Sequence, residues 1–177
     1  MKADATGRVS LRCQRIHELT SYVVEARNVR LYHEWQNTPI SYIGPALNDI
    51  EGLIVYRFEV DRPIVAARLL CTVFCGDGTV EFNVVGRGTG SVDVSNDGNT
   101  WLKVCSSIDQ LQWGDDQAVD ETLPDSILGG TSLWVRVRLL TTGSLKTRYT
   151  TAQFGRDFFD GFPALDGVFG LDLQLAE

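Results

Sequence analysis

The chain has 177 residues, 44% of them apolar, and a formal net charge of −7. This length suits one well-cored domain and is short for two, so we expect residues 1–177 to form a single domain, with residues 1–20 inside it or extended before it. The acidic balance argues against a nucleic-acid partner. No apolar run reaches the ~20 residues of a membrane-spanning helix, so no membrane partner is expected.

Alternating apolar and polar residues predict several short strands in the first half of the chain. Ser21–Leu31 indicates a first strand or strand pair, and Tyr32–Asn48, with its aromatics and two prolines, is typical of a long ordered loop. Gly52–Val60 alternates cleanly and predicts a half-buried strand with Arg57 on its outward face. Ile64–Phe74 is more continuously apolar, which predicts a central strand.

The stretch Val80–Val104 predicts three short strands joined by two turns. The strands are centred on Val80–Val84, Val92–Val94 and Trp101–Val104, where apolar residues are interleaved with polar ones. A Gly-rich turn is expected between the first two. Ser95–Thr100 (SNDGNT) is typical of a hairpin turn, because Asn, Asp and Gly tolerate positive φ.

The last third predicts two more strands. Ser106–Gly130 is acidic and Thr142–Asp166 is rich in aromatics and glycine, so both are expected to be long loops. Ser132–Thr141 and Val168–Leu175 alternate as strands do. On the first of these strands, the residues expected to face outward are Trp134, Arg136 and Arg138. About eight strands without helical periodicity predict an all-β fold, an antiparallel β-sandwich of jelly-roll topology with long loops.

Three motifs carry a family resemblance. Val92–Val104 (VDVSNDGNTWLKV) resembles the S-x-DG-x-TW hairpin of galactose-binding-like β-sandwiches, the superfamily of discoidin domains and many carbohydrate-binding modules. Val55–Val60 resembles that family's x-Y-R-F-x-V strand, and Leu133–Leu139 its L-x-V-R-V-x-L strand. The resemblance covers about residues 20–176. It implies a non-catalytic domain that binds a polysaccharide or oligosaccharide, as an extracellular module of a larger secreted protein, although no apolar signal segment follows Met1.

Aromatic residues in the predicted loops are the first candidates for sugar binding. Sugar rings stack their apolar face on aromatic planes, and their hydroxyls pair with polar side chains. The candidate ligand-binding residues in loops are Trp35, Trp113, Tyr42 and His33. For each Trp, burial within a small loop core is the competing interpretation. Trp101 and Trp134 are expected to serve packing.

Arg136 and Arg138 are the second set of candidate ligand-binding residues. With Arg57, they would place three arginines on one sheet face, where bidentate contacts could hold an anionic glycan. The alternative is that these arginines pair with neighbouring acids such as Glu59 and Asp172.

A structural Ca²⁺ is a further expectation from the resemblance. In many related modules, acids of the first and last strands share this ion, which needs several oxygen ligands. Glu25 and Asp172 stand at comparable positions. The family's usual E-x-E is here Glu25-Ala26-Arg27, so Arg27 could occupy the metal's place. Surface acids without a metal are the alternative.

The four cysteines contain no C-x-x-C pair, so neither a zinc ribbon nor a thioredoxin-type motif is indicated. Cys71 and Cys75 lie four apart in a predicted strand, roughly 13 Å along it. Because a disulfide needs Cα atoms within about 7 Å, they cannot join each other. Each could pair with Cys13 or Cys105, or all four could be buried thiols.

Catalysis is not indicated. His17 and His33 are the only histidines, and neither G-x-S-x-G nor H-E-x-x-H occurs. With 23 acidic residues, an arbitrary carboxylate pair carries no information. Two alternative functions stay open: a small polysaccharide-degrading lyase or hydrolase, and a protein-interaction, adhesion or assembly domain. The sequence predicts no oligomeric state.

Overall fold

The computed structural model describes residues 1–13, 16–35, 38–47, 49–75, 84–106, 116–145, 160–161 and 169–177. Most of these residues lie in β-strands. Within the described ranges, the helical segments are two 3₁₀ turns, Ile16–Tyr22 and Asp125–Ile127. No helix in this part of the chain has the length and hydrophobicity needed to cross a membrane.

The described residues form twelve strands. In chain order they are β1 (Arg8–Cys13), β2 (Val23–Arg27), β3 (Val29–Trp35), β4 (Thr38–Pro45), β5 (Gly52–Glu59), β6 (Ile64–Cys75), β7 (Val84–Ser95), β8 (Leu102–Ser106), β9 (Asp116–Thr122), β10 (Ser132–Leu145), β11 (Asp160–Gly161) and β12 (Phe169–Leu175).

The strand pairing is that of a jelly roll. Four antiparallel pairs are nested along the chain: β1 with β12, β5 with β10, β6 with β9, and β7 with β8. Folding this long hairpin over gives two sheets. Sheet A contains β1, β12, β6 and β9, with the short β11 also paired to β6, and sheet B has the order β2-β5-β10-β7-β8. The predicted antiparallel all-β sandwich of jelly-roll topology is confirmed.

The core lies between the two sheets. Alternate residues of β5 and β10, such as Tyr56, Phe58 and Val135, point inward and are buried. Phe58 of sheet B stacks on Phe169 of sheet A, with ring centroids 5.7 Å apart, which joins the two layers. Because side chains alternate along a strand, the residues between these core positions face outward. The predicted faces of β5 and β10 are therefore confirmed, but β5 is not half-buried as predicted, because Leu53 and Val55 on its outward side are buried too.

Three segments predicted as loops or turns form strands instead. The segment from Tyr32 onward belongs to the β3–β4 hairpin. The predicted Gly-rich turn is part of β7, whose glycines pair with residues of β10. The long partner strand supplies the hydrogen bonds that a strand needs, whatever the local propensity. For the same reason, Asp116–Thr122 of the predicted acidic loop forms β9, paired to β6.

Candidate functional site

The outward side of sheet B gathers cations, one buried acid and two indoles. We call the outward side of β5, β10, β7 and β8 the arginine face. Its main residues are Arg57, Asp93, Trp101, Lys103, Trp134, Arg136 and Arg138.

Strand register brings these residues together. Arg136 lies opposite Asp93 of β7, and Asp93 lies opposite Lys103 of β8. Trp134 lies opposite Arg57 of β5. Side chains that face one another across neighbouring strands are in contact distance. The face is therefore built by long-range pairing rather than by local sequence.

Asp93 is the centre of the face. Its side chain is only 3% exposed, and its Oδ2 accepts a hydrogen bond from Nε of Arg136 at 3.0 Å. Nε of Arg138 lies 3.2 Å from the same oxygen, close enough for an ion pair but without hydrogen-bond alignment. One buried carboxylate thus orients two guanidinium groups. Among the described residues, no protein group accepts a hydrogen bond from the Nη atoms of either arginine.

Both indoles of the face are covered by cations. The guanidinium carbon of Arg136 lies 4.2 Å from the ring centroid of Trp101, and that of Arg57 lies 5.0 Å from the centroid of Trp134. Cations stacked on indoles in this way are attracted by the ring's negative face. Arg57 is also fixed by Glu59, whose Oε1 lies 2.6 Å from its Nη2. These contacts account for both indoles as packing residues of the face.

The hairpin turn before β8 completes the Trp134 environment. Gly98 adopts φ +75°, and a Cβ built on it would lie 3.1 Å from Cε2 of Trp134, so the turn backbone rests on the ring. The Asp97 carboxylate accepts hydrogen bonds from the backbone N–H groups of Thr100 and Asn99, both at 2.7 Å. These bonds hold the pKa of Asp97 well below its usual range. The turn predicted from SNDGNT therefore positions part of the site.

A shallow pocket of about 190 Å³ opens beside Arg138. Lys103, Ser91 and Glu51 line it. Ser91 is 8% exposed. Lys103 makes no ion pair with any described residue. The pocket is thus lined by two cations, one carboxylate and one hydroxyl.

The outward side of sheet A differs, because its charges cancel. Arg12 pairs with Asp172 at 2.6 Å, and Arg68 holds Asp120 through two hydrogen bonds of 2.6 and 2.7 Å. The guanidinium groups lower the pKa of Asp172 and of Asp120. A groove of about 610 Å³ crosses this side, but each of these arginines already has its own carboxylate.

The predicted ligand-binding residues fall into two groups. Arg136 and Arg138 lie together on the arginine face, outward as predicted. His33, Trp35 and Tyr42 belong to the β3–β4 hairpin, where they lie opposite Ser41, Thr38 and Tyr32. Only the backbone of these three residues is described, and Trp113 lies outside the described residues.

The predicted metal residues lie on different sheets. Glu25 lies on β2 of sheet B, opposite Val55, and its carboxylate pairs with Arg27 at 2.8 Å. Asp172 lies on β12 of sheet A, where Arg12 holds it. The shared site expected from the resemblance is thus divided between the two sheets. Among the described residues, no cluster of three or more His, Cys, Asp or Glu could hold a metal ion.

The buried cysteines are part of the core. Cys13 on β1 and Cys71 on β6 both lie in it. Burial raises the pKa of the Cys13 thiol to about 11. Cys13 is a free thiol, so the predicted pairing of Cys71 or Cys75 with Cys13 is wrong. The side chains of Cys75 and Cys105 lie outside the described residues, so a pairing between these two stays a prediction.

Two residues of the site escaped the sequence analysis. Asp93 stands between Val92 and Val94, and this alternation places it on the face opposite the core. Its partners could be found only by aligning β7 with β10, which are far apart in sequence. Lys103 could likewise be placed on this face only by aligning β7 with β8. The predicted partner Glu59 does pair with Arg57.

No protein-family model matches the chain, and no curated protein matches it. Several solved structures are similar to it. TmCBM61, solved in complex with beta-1,4-galactotriose, is 12% identical with a TM-score of 0.44, covering 85% of this chain and 90% of that one. A family 35 carbohydrate binding module from Clostridium thermocellum is 14% identical with a TM-score of 0.44, covering 95% and 99%. A chain of infectious bursal disease virus Gx strain is 8% identical with a TM-score of 0.38, covering 99% and 38%. At these identities and TM-scores, the similarity does not assign a function.

Proposed function

We propose that the protein is a non-catalytic carbohydrate-binding domain that holds a polysaccharide on the arginine face. The observation that carries this proposal is the pair Arg136 and Arg138, oriented by the buried Asp93, with Nη donors that no described residue uses. Sugar hydroxyls are bound by such fixed, planar donors. Donors that are already held in place lose little freedom on binding, which favours affinity.

Two further features support the proposal. The jelly-roll fold agrees with the fold that the galactose-binding-like resemblance implies, and the SNDGNT hairpin of that resemblance forms one end of the arginine face. Under this proposal the chain acts outside the cell, as a module of a larger protein. The aromatic residues Trp35, Tyr42, His33 and Trp113 stay predicted contributors to the same ligand.

The test is binding to a panel of neutral and acidic polysaccharides, measured by affinity gel electrophoresis and by titration calorimetry. Arg136→Gln removes one oriented guanidinium and leaves Asp93 paired with Arg138. We expect this change to weaken binding by about tenfold, the value of one hydrogen bond from a charged donor. Arg68→Gln is the matched control, because it removes an ion-paired arginine from the outward side of sheet A. It should bind as the wild type does.

Three outcomes would contradict the proposal. If no polysaccharide retards the protein, it is not a carbohydrate-binding domain. If reducing ends or unsaturated sugars are released, it is an enzyme. If Trp35→Ala or Trp113→Ala abolishes binding while Arg136→Gln keeps full affinity, the sugar does not lie on the arginine face.

A further inference from the structure

The charges of the arginine face do not cancel. Its cations are Arg57, Lys103, Arg136 and Arg138, and its carboxylates, with those lining the pocket included, are Glu51, Glu59 and Asp93. Glu59 serves Arg57 at the Trp134 end. The remaining cations therefore outnumber the remaining acids at the pocket end, on a chain whose net charge is −7.

The surplus is concentrated at Lys103 and Arg138. Arg138 shares Asp93 with Arg136 and has the longer, misaligned contact of the two. Within the described ranges, neither Lys103 nor Glu51 belongs to an ion pair, although both line the pocket. Two cations without full partners thus border one cavity.

The shape of the pocket suits a small anionic group. Gly90 contributes no side chain to it, and Ser91 adds a hydroxyl. Its volume of about 190 Å³ exceeds that of a carboxylate or sulfate group. The planar fork of Arg138 matches such a group in two-point contact, and Lys103 adds a mobile point charge.

We infer that the polysaccharide is acidic, and that its carboxylate or sulfate group occupies the pocket between Lys103 and Arg138. This inference rests on the proposed function and names the substrate class of the same face. A neutral sugar would leave the surplus positive charge of this end of the face uncompensated. An acidic sugar supplies the counter-charge, while its hydroxyls remain available to Arg136.

The experiment compares polymers that differ in charge alone. Polygalacturonate is tested against highly methyl-esterified pectin, and carrageenan against the same carrageenan after chemical desulfation, so the two arms separate carboxylate from sulfate recognition. We expect the charged member of at least one pair to bind ten- to a hundredfold more tightly, the range for hydrogen bonds to a charged group. Polyglutamate serves as a polyanion without sugar rings, and it should bind no more tightly than the uncharged polymers.

Variants locate the charge recognition. Lys103→Gln should lower the affinity for the acidic polymer by about tenfold or more and leave binding of its uncharged partner unchanged. Arg138→Gln also removes donors for sugar hydroxyls, so it should weaken binding of both polymers, and that of the acidic polymer more strongly. Both variants should also reduce the dependence of the acidic-polymer affinity on salt concentration. Lys2→Gln and Arg68→Gln are the matched controls away from the pocket. They should change neither the affinity for the acidic polymer nor its salt dependence. Lys103 is exposed, so its variant is expected to fold even if the Arg138 variant does not.

Each other result overturns the inference. Equal affinity within both polymer pairs would show that the face binds sugar without reading charge, which leaves the proposed function standing. Binding of polyglutamate as tight as that of polygalacturonate would show bulk electrostatic attraction. Lys103→Gln and Arg138→Gln with wild-type affinity would place the anion elsewhere. Absence of binding to every polymer would overturn the proposed function as well.

Discussion

Replacing Asp93 by Asn tests the physical basis of the arginine face. The amide keeps the shape of the side chain but removes the charge that holds Arg136 and Arg138. Removing one partner of a fully buried ion pair costs about 3–5 kcal/mol, whereas an exposed pair is worth about 0–1 kcal/mol. Asp93 is 3% exposed, but the two arginine side chains are 22% and 32% exposed, so water can solvate them in part. We therefore expect a loss of about 2 kcal/mol.

Thermal unfolding followed by circular dichroism measures this loss. For a domain of this size, 1 kcal/mol shifts the melting temperature by about 2–4 °C, so Asp93→Asn should melt about 4–8 °C lower. Asp120→Asn is the matched control, since it removes the acid of an even closer Asp–Arg pair, at 2.6 Å, in which both side chains are 51% exposed. Its free energy of unfolding should fall by less than about 1 kcal/mol. If the two variants melt at the same temperature, burial of Asp93 is not what makes its charge important.

The hairpin turn gives two further predictions. Gly98→Ala should destabilise the fold by about 1–3 kcal/mol, because φ is +75° there and the new Cβ meets the ring of Trp134. Gly129→Ala is the control, because Gly129 has φ +90° with open space around it, so only the backbone strain contributes. Its free energy of unfolding, measured by urea titration, should fall by less than that of Gly98→Ala. Equal losses in the two variants would rule out the contact with the Trp134 ring. Asp97→Asn should lower the melting temperature at pH 7. The difference in melting temperature from the wild type should become smaller below about pH 3.8, the pKa of the group in the unfolded chain. A carboxylate whose pKa is lowered in the folded state stabilises the fold above its unfolded-state pKa, and this stabilisation is lost as the carboxylate is protonated. A difference that is the same at pH 2.5 as at pH 7 would contradict this reasoning.

Local sequence pattern was sufficient for the core strands. β5, β10 and β12 alternate with a period of two, so the strands and their inward faces could be predicted without knowing their neighbours. The turn at SNDGNT was equally visible, since its residues tolerate positive φ. These signals act over a few residues. The number of predicted strands, together with the absence of helical periodicity, was what indicated a jelly roll.

The misjudged segments depend on partners that are distant in sequence. β9 carries Asp116, Asp120 and Glu121, a composition that disfavours a strand by propensity. It becomes one because β6 offers a continuous edge, and because acids on its solvent side, such as Asp120, meet arginines there. The glycines of β7 are held in the same way by β10. Strand propensity is decided by context, so composition alone could not find these elements.

The candidate site also depends on strands that are distant in sequence. Arg136 and Arg138 could be predicted from the sequence as an outward Arg-x-Arg, but the number of acids opposite them decides whether their charges are neutralised. On sheet A, Arg68 meets its own exposed acid. On sheet B, two arginines converge on one acid that is almost fully buried. Register alone sets this ratio of cations to acids, and register is a property of two strands together.

The buried Asp93 is difficult to explain by stability alone. Apolar side chains of similar volume are often as stabilising as a buried ion pair, or more so, because burying a charge carries a large desolvation cost. An arrangement with one buried acid and two arginines also leaves cations unbalanced, which adds self-repulsion on the same face. Both costs would be offset if a ligand supplied the missing negative charge. The face should therefore become more stable when it is occupied, and an acidic oligosaccharide that binds there should raise the melting temperature of the wild type more than that of Lys103→Gln.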